Sequence, residues 1–435
     1  MSTTDGPSVV PDRTAPEPAP RLSLRKRFTA LFADPVLRVL ALATAVMTLG
    51  RGIFLALTVL YFTLIVGLSA VEVAVVLTVA SAAGAVCSLL GGALADRLSA
   101  RRLIVLFELL AGVCLLLYVT ATSFIAVLLV AAAFTGANSA AHSVRSAMIA
   151  RAFTSADRVN ARAVLRTVTN AGIAIGSAVA GVALIIGTPE AYRSIMIVAG
   201  LATIASIIPL LRLPARVDAP VRDTDAAASA PRGRSPYRDR RYLSLTVLSA
   251  IFALHFALME IGLPLWVLHN TDAPLAIVSV LLVLNTAIVI TFQIPLSRGT
   301  HDIRKAGRVT AIAGVLMALA CLVYAASGAV SAWVAVAFLV SAAIAHTFAE
   351  VLSQAGSWGL SFELADTRRA GAYQGVFGLG WSISGMAAPL VITAAVTNGL
   401  FGWAALAVMF LLSAGGVWWI AARASLAGKP NSLVG

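Results

Sequence analysis

Charge is scarce in this sequence. Asp, Glu, Lys and Arg make up 12% of its 435 residues, against 60% that are hydrophobic, and that balance excludes an ordinary water-soluble core. Cysteine is scarcer still. Cys87, Cys114 and Cys321 are the only three, all inside apolar runs where a thiol packs as a small hydrophobe, so neither a disulfide framework nor a metal site is read from them. No glycine loop of the G-x-x-x-x-G-K-[ST] type is present, so direct ATP hydrolysis is not indicated, and no cofactor is implied. Basic residues outnumber acidic ones, 32 to 19, yet they sit in short loops rather than on one soluble domain with aromatic platforms, which argues against nucleic acid as a partner.

Long apolar runs take the place of what is missing. A spanning helix needs roughly 20 mostly apolar residues, and hydropathy windows of about that length place helices near 36–66, 71–95, 102–120, 123–150, 162–186 and 194–211. A second set falls near 243–269, 274–296, 308–327, 331–358, 372–397 and 402–422. The reading is an all-α membrane protein of twelve transmembrane helices in two pseudo-symmetric six-helix bundles, 35–211 and 243–423. Residues 1–34 read as a disordered, basic N-terminus, 212–242 as a linker and 424–435 as a tail. The first apolar run follows Arg25, Lys26 and Arg27 and is too long for a cleavable signal, so it stays as a span.

Positive charge orients the bundle. With the N-terminus in the cytoplasm, only Arg193 falls in an outside loop and only Arg51 lies at mid-membrane depth. The opposite orientation strands nearly all basic residues outside. Both termini are therefore expected in the cytoplasm of a cell whose inner or plasma membrane holds the protein. The linker's basic run, Arg232, Arg234, Arg238, Arg240 and Arg241, is expected at the anionic leaflet. A repeat joins the two sets of helices: Phe153, Ala156, Asp157, Ala161 and Ala163 recur as Phe362, Ala365, Asp366, Ala370 and Ala372, with Gly176 matching Gly385. The constant shift is what an internal duplication requires.

Between helices two and three, Gly92-Ala93-Leu94-Ala95-Asp96-Arg97-Leu98-Ser99-Ala100-Arg101-Arg102 resembles the loop signature of the major facilitator superfamily. Ser99 stands where that family usually has Gly, and the basic pair is shifted by one position. The resemblance implies a gate in which Gly92 lets two helices approach and Asp96 faces the N-terminal end of helix eleven near Ala372. Arg97, Arg101 and Arg102 would then meet carboxylates or lipid phosphates. Asn170, Gly172, Gly176, Ser177 and Gly181 of helix five are similar to the signature of bacterial twelve-helix drug:proton antiporters. Ser177 replaces that signature's proline and Ala180 a glycine. The arginine usual at the start of helix four is absent, with Ala132 in its place.

Ionisable groups at membrane depth are costly and face a wet cavity or a partner. Here they fall on helices one, four, seven and ten, which that family uses to line its cavity. Asn138, His142 and Arg145 share one helical face, as do His346, Glu350 and Gln354. The repeat carries Arg51 onto Glu260 at matching depth, a basic half facing an acidic one. Glu350 and Glu260, with His346 and His255, are the proton-coupling candidates. Arg51, Asn138, His142, Arg145, Asn285, Gln293, Gln354 and Trp266 are the cavity candidates, while Glu108 reads as a partner of the basic loop. Met47, Phe54, Tyr61, Trp358 and Trp381 would supply apolar walls, and Trp418 and Trp419 an interfacial belt. The expected function is proton-coupled efflux of hydrophobic or amphipathic small molecules by a monomer in lipid. Import of a small polar metabolite by proton symport, and a sensor on the same fold, stand as alternatives.

Overall fold

The computed structural model describes residues 34–218 and 234–427. The readings made for residues 1–33, 219–233 and 428–435 lie outside the described residues. Within them, twelve helices are long and apolar enough to cross a membrane. In chain order these are α1 Pro35–Leu60, α2 Ala70–Ala95, α3 Ala100–Leu117, α4 Phe124–Ala152, α5 Ser155–Ile186 and α6 Pro189–Ala205. A second six follows: α7 Arg240–Asn270, α8 Ala276–Ser297, α9 Ile303–Ala326, α10 Ala332–Glu363, α11 Ala370–Thr397 and α12 Gly399–Ala427.

Local chemistry sets where these helices begin. Asp34 accepts from the Val36 N–H at 2.8 Å to cap α1, Ser69 and Glu72 form a reciprocal capping box on α2, and Ser99, Ser123, Thr188 and Asp302 cap α3, α4, α6 and α9. Each cap satisfies amide donors that the first turn leaves without an intrahelical partner. Helix α5 starts at Ser155, seven residues before the expected 162, because Asp157, Arg158, Asn160 and Arg162 depress hydropathy without breaking the helix. Arg193, expected in a loop, lies inside α6. A π-turn at Leu258–Gly262 interrupts α7, and another, Tyr61–Ile65, prolongs α1.

The two sixes pack alike. In the first half α1 lies on α5 and α6, α2 on α4, and α3 on α4 and α6; in the second α7 lies on α11 and α12, α8 on α10, and α9 on α10 and α12. Every pairing recurs six helices later, which establishes the pseudo-two-fold arrangement. The halves meet through α2 on α11 and its counterpart α8 on α5, with α4 on α11 and α10 on α5 beside them. The end that carries Asp96, Phe153, Arg298 and Leu364 is called the near end below, and the end that carries Gly67, Gly187 and Ser327 the far end.

A strap crosses the near end of the first half. Asp218 accepts from the Ser99 hydroxyl at 3.0 Å, the Arg101 N–H at 3.1 Å and Arg101 Nε at 2.7 Å. Burial pushes the Asp218 carboxyl up, but those donors outweigh it and hold the pKa below its ordinary value. A carboxyl depressed by folding contributes stability above its unfolded pKa and loses it as pH falls through the folded one. The strap is therefore expected to hold at neutral pH and to release only below about pH 4. Amide hydrogen exchange at Arg101 across that range checks it, and Asp218→Asn should show the released rate at every pH.

Candidate functional site

At the near end the halves are bolted together. Asp96, just past α2, accepts from the Gly371 N–H at 2.8 Å and the Ala372 N–H at 2.7 Å, where α11 leaves its first amides unpaired and its dipole is positive. Arg151 of α4 holds the same carboxylate at 2.6 Å. Gly92 and Gly371 face each other so closely that a Cβ on either would strike the other's carbonyl oxygen. One turn further in, the Ser88 hydroxyl donates to the Gly375 carbonyl at 3.2 Å and shares a hydrogen bond with Ser143 at 2.9 Å. Arg97 and Arg102 are exposed, whereas Arg101 belongs to the Asp218 strap.

A stripe of arginines on α5 continues the seam toward the membrane interior. Arg158, Arg162 and Arg166 follow at i, i+4 and i+8, hence on one face, and each reaches the second half. Arg158 lies 3.9 Å from Glu363 at the end of α10. Arg162 donates to Gln374 Oε1 of α11 at 3.2 Å and lies over the rings of Trp358 and Phe362, 5.7 and 5.4 Å from their centroids. Arg166 forms an ion pair with Glu350 and lies 5.2 Å from the Phe256 ring. The other Glu350 oxygen accepts from Asn285 at 3.0 Å, and Asn285 also reaches Thr347. Sequence reasoning missed Arg162, Arg166 and Gln374. Their four-residue spacing was legible, but starting α5 at 162 left Arg158 in a loop and hid the stripe. The reading that Arg51 alone lies at mid-membrane depth is corrected accordingly.

Beyond this seam the halves enclose a cleft. Arg51, His142 and Glu260 are exposed although charged groups of the bundle act on each of them, which suits the wall of a cleft between the halves. Arg51 stands one turn beyond Met47, whose sulfur lies 3.5 Å from Arg145, so its side of α1 faces inward. His142 sits 3.4 Å from Arg162 and marks the floor. Asn138 is half-buried one turn farther along α4, and Phe54, Phe256 and Trp381 are half-buried apolar residues, the last two in tilted contact with centroids 5.4 Å apart.

Several candidates stand elsewhere. Arg51 and Glu260 form no ion pair among the described residues: Arg51 feels the charges of Arg145 and Glu108 in its own half, and Glu260 that of Glu350. Glu108 pairs with Arg145 at 2.6 Å, both largely buried, rather than with the basic loop, since its turn of α3 faces α4. His255 and His346 are fully buried against each other, 3.3 Å apart, behind the wall rather than on it. Trp266 donates to Ser327 at 3.1 Å and meets Trp403 edge-to-face in the core of the second half. Gln293 is buried and donates to Ser297 of its own helix at 3.1 Å, and Gln354 is buried. Tyr61 and Trp358 are core residues too. Gly172 and Gly176 press against α1 at Thr48 and Leu49, Ser177 donates to the Gly52 carbonyl at 3.2 Å, Asn170 is half-buried, and Gly181 meets open space.

The Glu108–Arg145 pair yields a stability prediction. Arg145→Ala would leave a carboxylate buried without its partner, at a cost of about 3–5 kcal/mol. A marked fall in the melting temperature of purified protein is expected, with recovery in the double variant Glu108→Leu/Arg145→Met. No recovery would show that the pair does more than neutralise itself.

A polar cleft between two six-helix halves related by pseudo-two-fold symmetry, sealed at one end, is the architecture of a membrane transporter. The family model of the Major Facilitator Superfamily matches residues 40–389, and the chain belongs to that family. Among solved structures, the human organic anion transporter MFSD10 (TETRAN) is similar at a TM-score of 0.69 and 14% identity, with 88% of this chain and 99% of that one covered. A bacterial homologue of the iron transporter ferroportin, in an outward-facing state, is similar at 0.69 and 14%, covering 90% and 99%. At that identity they show the fold alone. No curated protein matches the chain.

Proposed function

We propose that the protein is a proton-driven exporter of hydrophobic or amphipathic small molecules, working as a monomer by alternating access. The near end faces the cytoplasm of a cell membrane, with both termini on that side, and the conformation described is closed to the cytoplasm. The observation that carries this reading is the Arg166–Glu350 pair, which joins the halves beside the cleft floor. Protonating that carboxylate removes the charge that holds Arg166, so a proton arriving through the far-end cleft loosens the near-end seam. Substrate loading from the cytoplasm and proton release then compete, and the deprotonated pair closes the seam again. The helix-five pattern of small residues and the half-buried Phe54, Phe256 and Trp381 suit an apolar cargo.

A second reading, export of organic anions, is favoured by the basic floor formed by Arg51, His142 and Arg162. Inverted membrane vesicles with an imposed pH gradient test both, using a panel of neutral, cationic and anionic amphipaths. Uphill accumulation of one class, dissipated by an uncoupler, is expected. Uptake that ignores the gradient for every compound would remove the proton-driven mechanism.

A further inference from the structure

We propose a binding site for a phosphate-bearing group on the near end of the second half, apart from the central cleft. A concavity of about 520 Å³ opens there, lined by Arg234, Arg238, Arg240, Arg241, Asp239 and Glu363, with Ile303, Leu364 and Ala424 completing its wall. Four arginines line it from two directions. Arg240 and Arg241 open α7, while Arg234 and Arg238 lie on the incoming chain. That chain is held in place: Pro236 is buried in a single 3-10 turn, and the Arg234 N–H donates to Asp366 at 2.8 Å. The arginines are thus presented by fixed backbone rather than by a loose tail.

Of the two carboxylates of the concavity Asp239 is hydrogen-bonded, while Glu363 has only a 3.9 Å ion pair. Asp239 caps α7 through the Tyr242 N–H at 3.2 Å and accepts from the Tyr373 hydroxyl at 3.1 Å, and Glu363 faces Arg158 across the seam between the halves. Among the described residues none of the four guanidiniums has an ion-pair partner. Positive charge is therefore concentrated in a concave site with room for a tetrahedral oxyanion, and planar guanidiniums match phosphate oxygens two at a time. The walls come from the ends of α7, α9, α10 and α12, at the level where a spanning bundle meets lipid headgroups. A basic pocket in that position takes an anionic headgroup. Through Glu363 the site borders the joint between the halves.

The test uses the full chain in nanodiscs of phosphatidylcholine containing phosphatidylglycerol, with retained lipid counted by native mass spectrometry. Wild type is expected to retain phosphatidylglycerol, as is Arg212→Gln, an exposed near-end arginine outside the site. Arg238→Gln/Arg241→Gln is expected to weaken retention about 25-fold, a factor of about five for each charge lost near a membrane surface. Arg238→Lys/Arg241→Lys keeps the charge but not the bidentate geometry and should retain more than the Gln double variant and less than wild type, which separates lost binding from lost folding. Inorganic phosphate added in parallel identifies the source: displacement of the lipid shows that a free anion suffices, and resistance shows that the headgroup in its bilayer is required. Equal retention by wild type and the Gln double variant, with both eluting as folded protein, would overturn the site.

Discussion

Glu350→Gln is expected to abolish gradient-driven transport while leaving folded protein in the membrane. The substitution keeps shape and hydrogen-bonding capacity toward Asn285, whose amide lies 3.0 Å from the carboxylate, but removes the charge that Arg166 engages. What is lost is the dependence on protonation rather than the fold. Accumulation in inverted vesicles should fall to the level seen with an uncoupler. Arg166→Gln is the harsher change, because it strands a carboxylate that is 4% exposed at a cost of about 3–5 kcal/mol. Lower yield and lower thermal stability are expected for that variant but not for Glu350→Gln. Unchanged gradient-driven export by Glu350→Gln would move coupling to another group, with Glu260 the next candidate on the wall.

The second large effect is expected at Gly92. Its α-carbon lies where α2 crosses the start of α11, and any side chain there meets the Gly371 carbonyl, a backbone atom that cannot swing away. Only the closed near end makes this demand. Gly92→Val therefore penalises that one conformation, by about 1–3 kcal/mol if the helices yield as overpacked cores do. Such a bias changes the closed-to-open ratio about 5- to 150-fold. Labelling of a cysteine placed at Ala372 by a membrane-impermeant reagent applied from the near-end side should rise sharply, and net export should fall. Asp96→Asn removes the charge that pairs with Arg151 and leaves one acceptor oxygen where the Gly371 and Ala372 amides use two, and it is expected to act in the same direction.

How much of this was legible beforehand follows from where each signal resides. Span number came from hydropathy and the repeat, because lipid leaves a helix no other way to satisfy its backbone. Asp96 could be placed against the start of α11 by family resemblance, and the amides of Gly371 and Ala372 lie there. Asn285 was named as a cavity amide and is bound to Glu350. The partner of Glu350 was not legible. Pairing across halves depends on which face of α5 meets α10, and the polar start of α5 sat below the hydropathy threshold. Trp266 and Gln293 were assigned to the cavity, and His255 and His346 to proton coupling, because they are polar or aromatic on helices expected to line it. Sequence could not tell that the Trp266 indole meets Ser327, or that Gln293 turns back on its own helix. Nor could it show the π-turn at Leu258–Gly262, which falls between His255 in the core and Glu260 on the wall.

Neutralising the charge of Glu350 is expected to open the near-end seam. Pulsed electron spin resonance reads it directly, with Cys87, Cys114 and Cys321 replaced by Ala. One label pair spans the near end at Leu98 and Arg304, the other the far end at Thr122 and Asp272, all four exposed. Acidification should lengthen the near-end distance and shorten the far-end one, and Glu350→Gln should show the acid pattern at every pH. A near-end distance that is the same in acid, at neutral pH and in Glu350→Gln would contradict the claim.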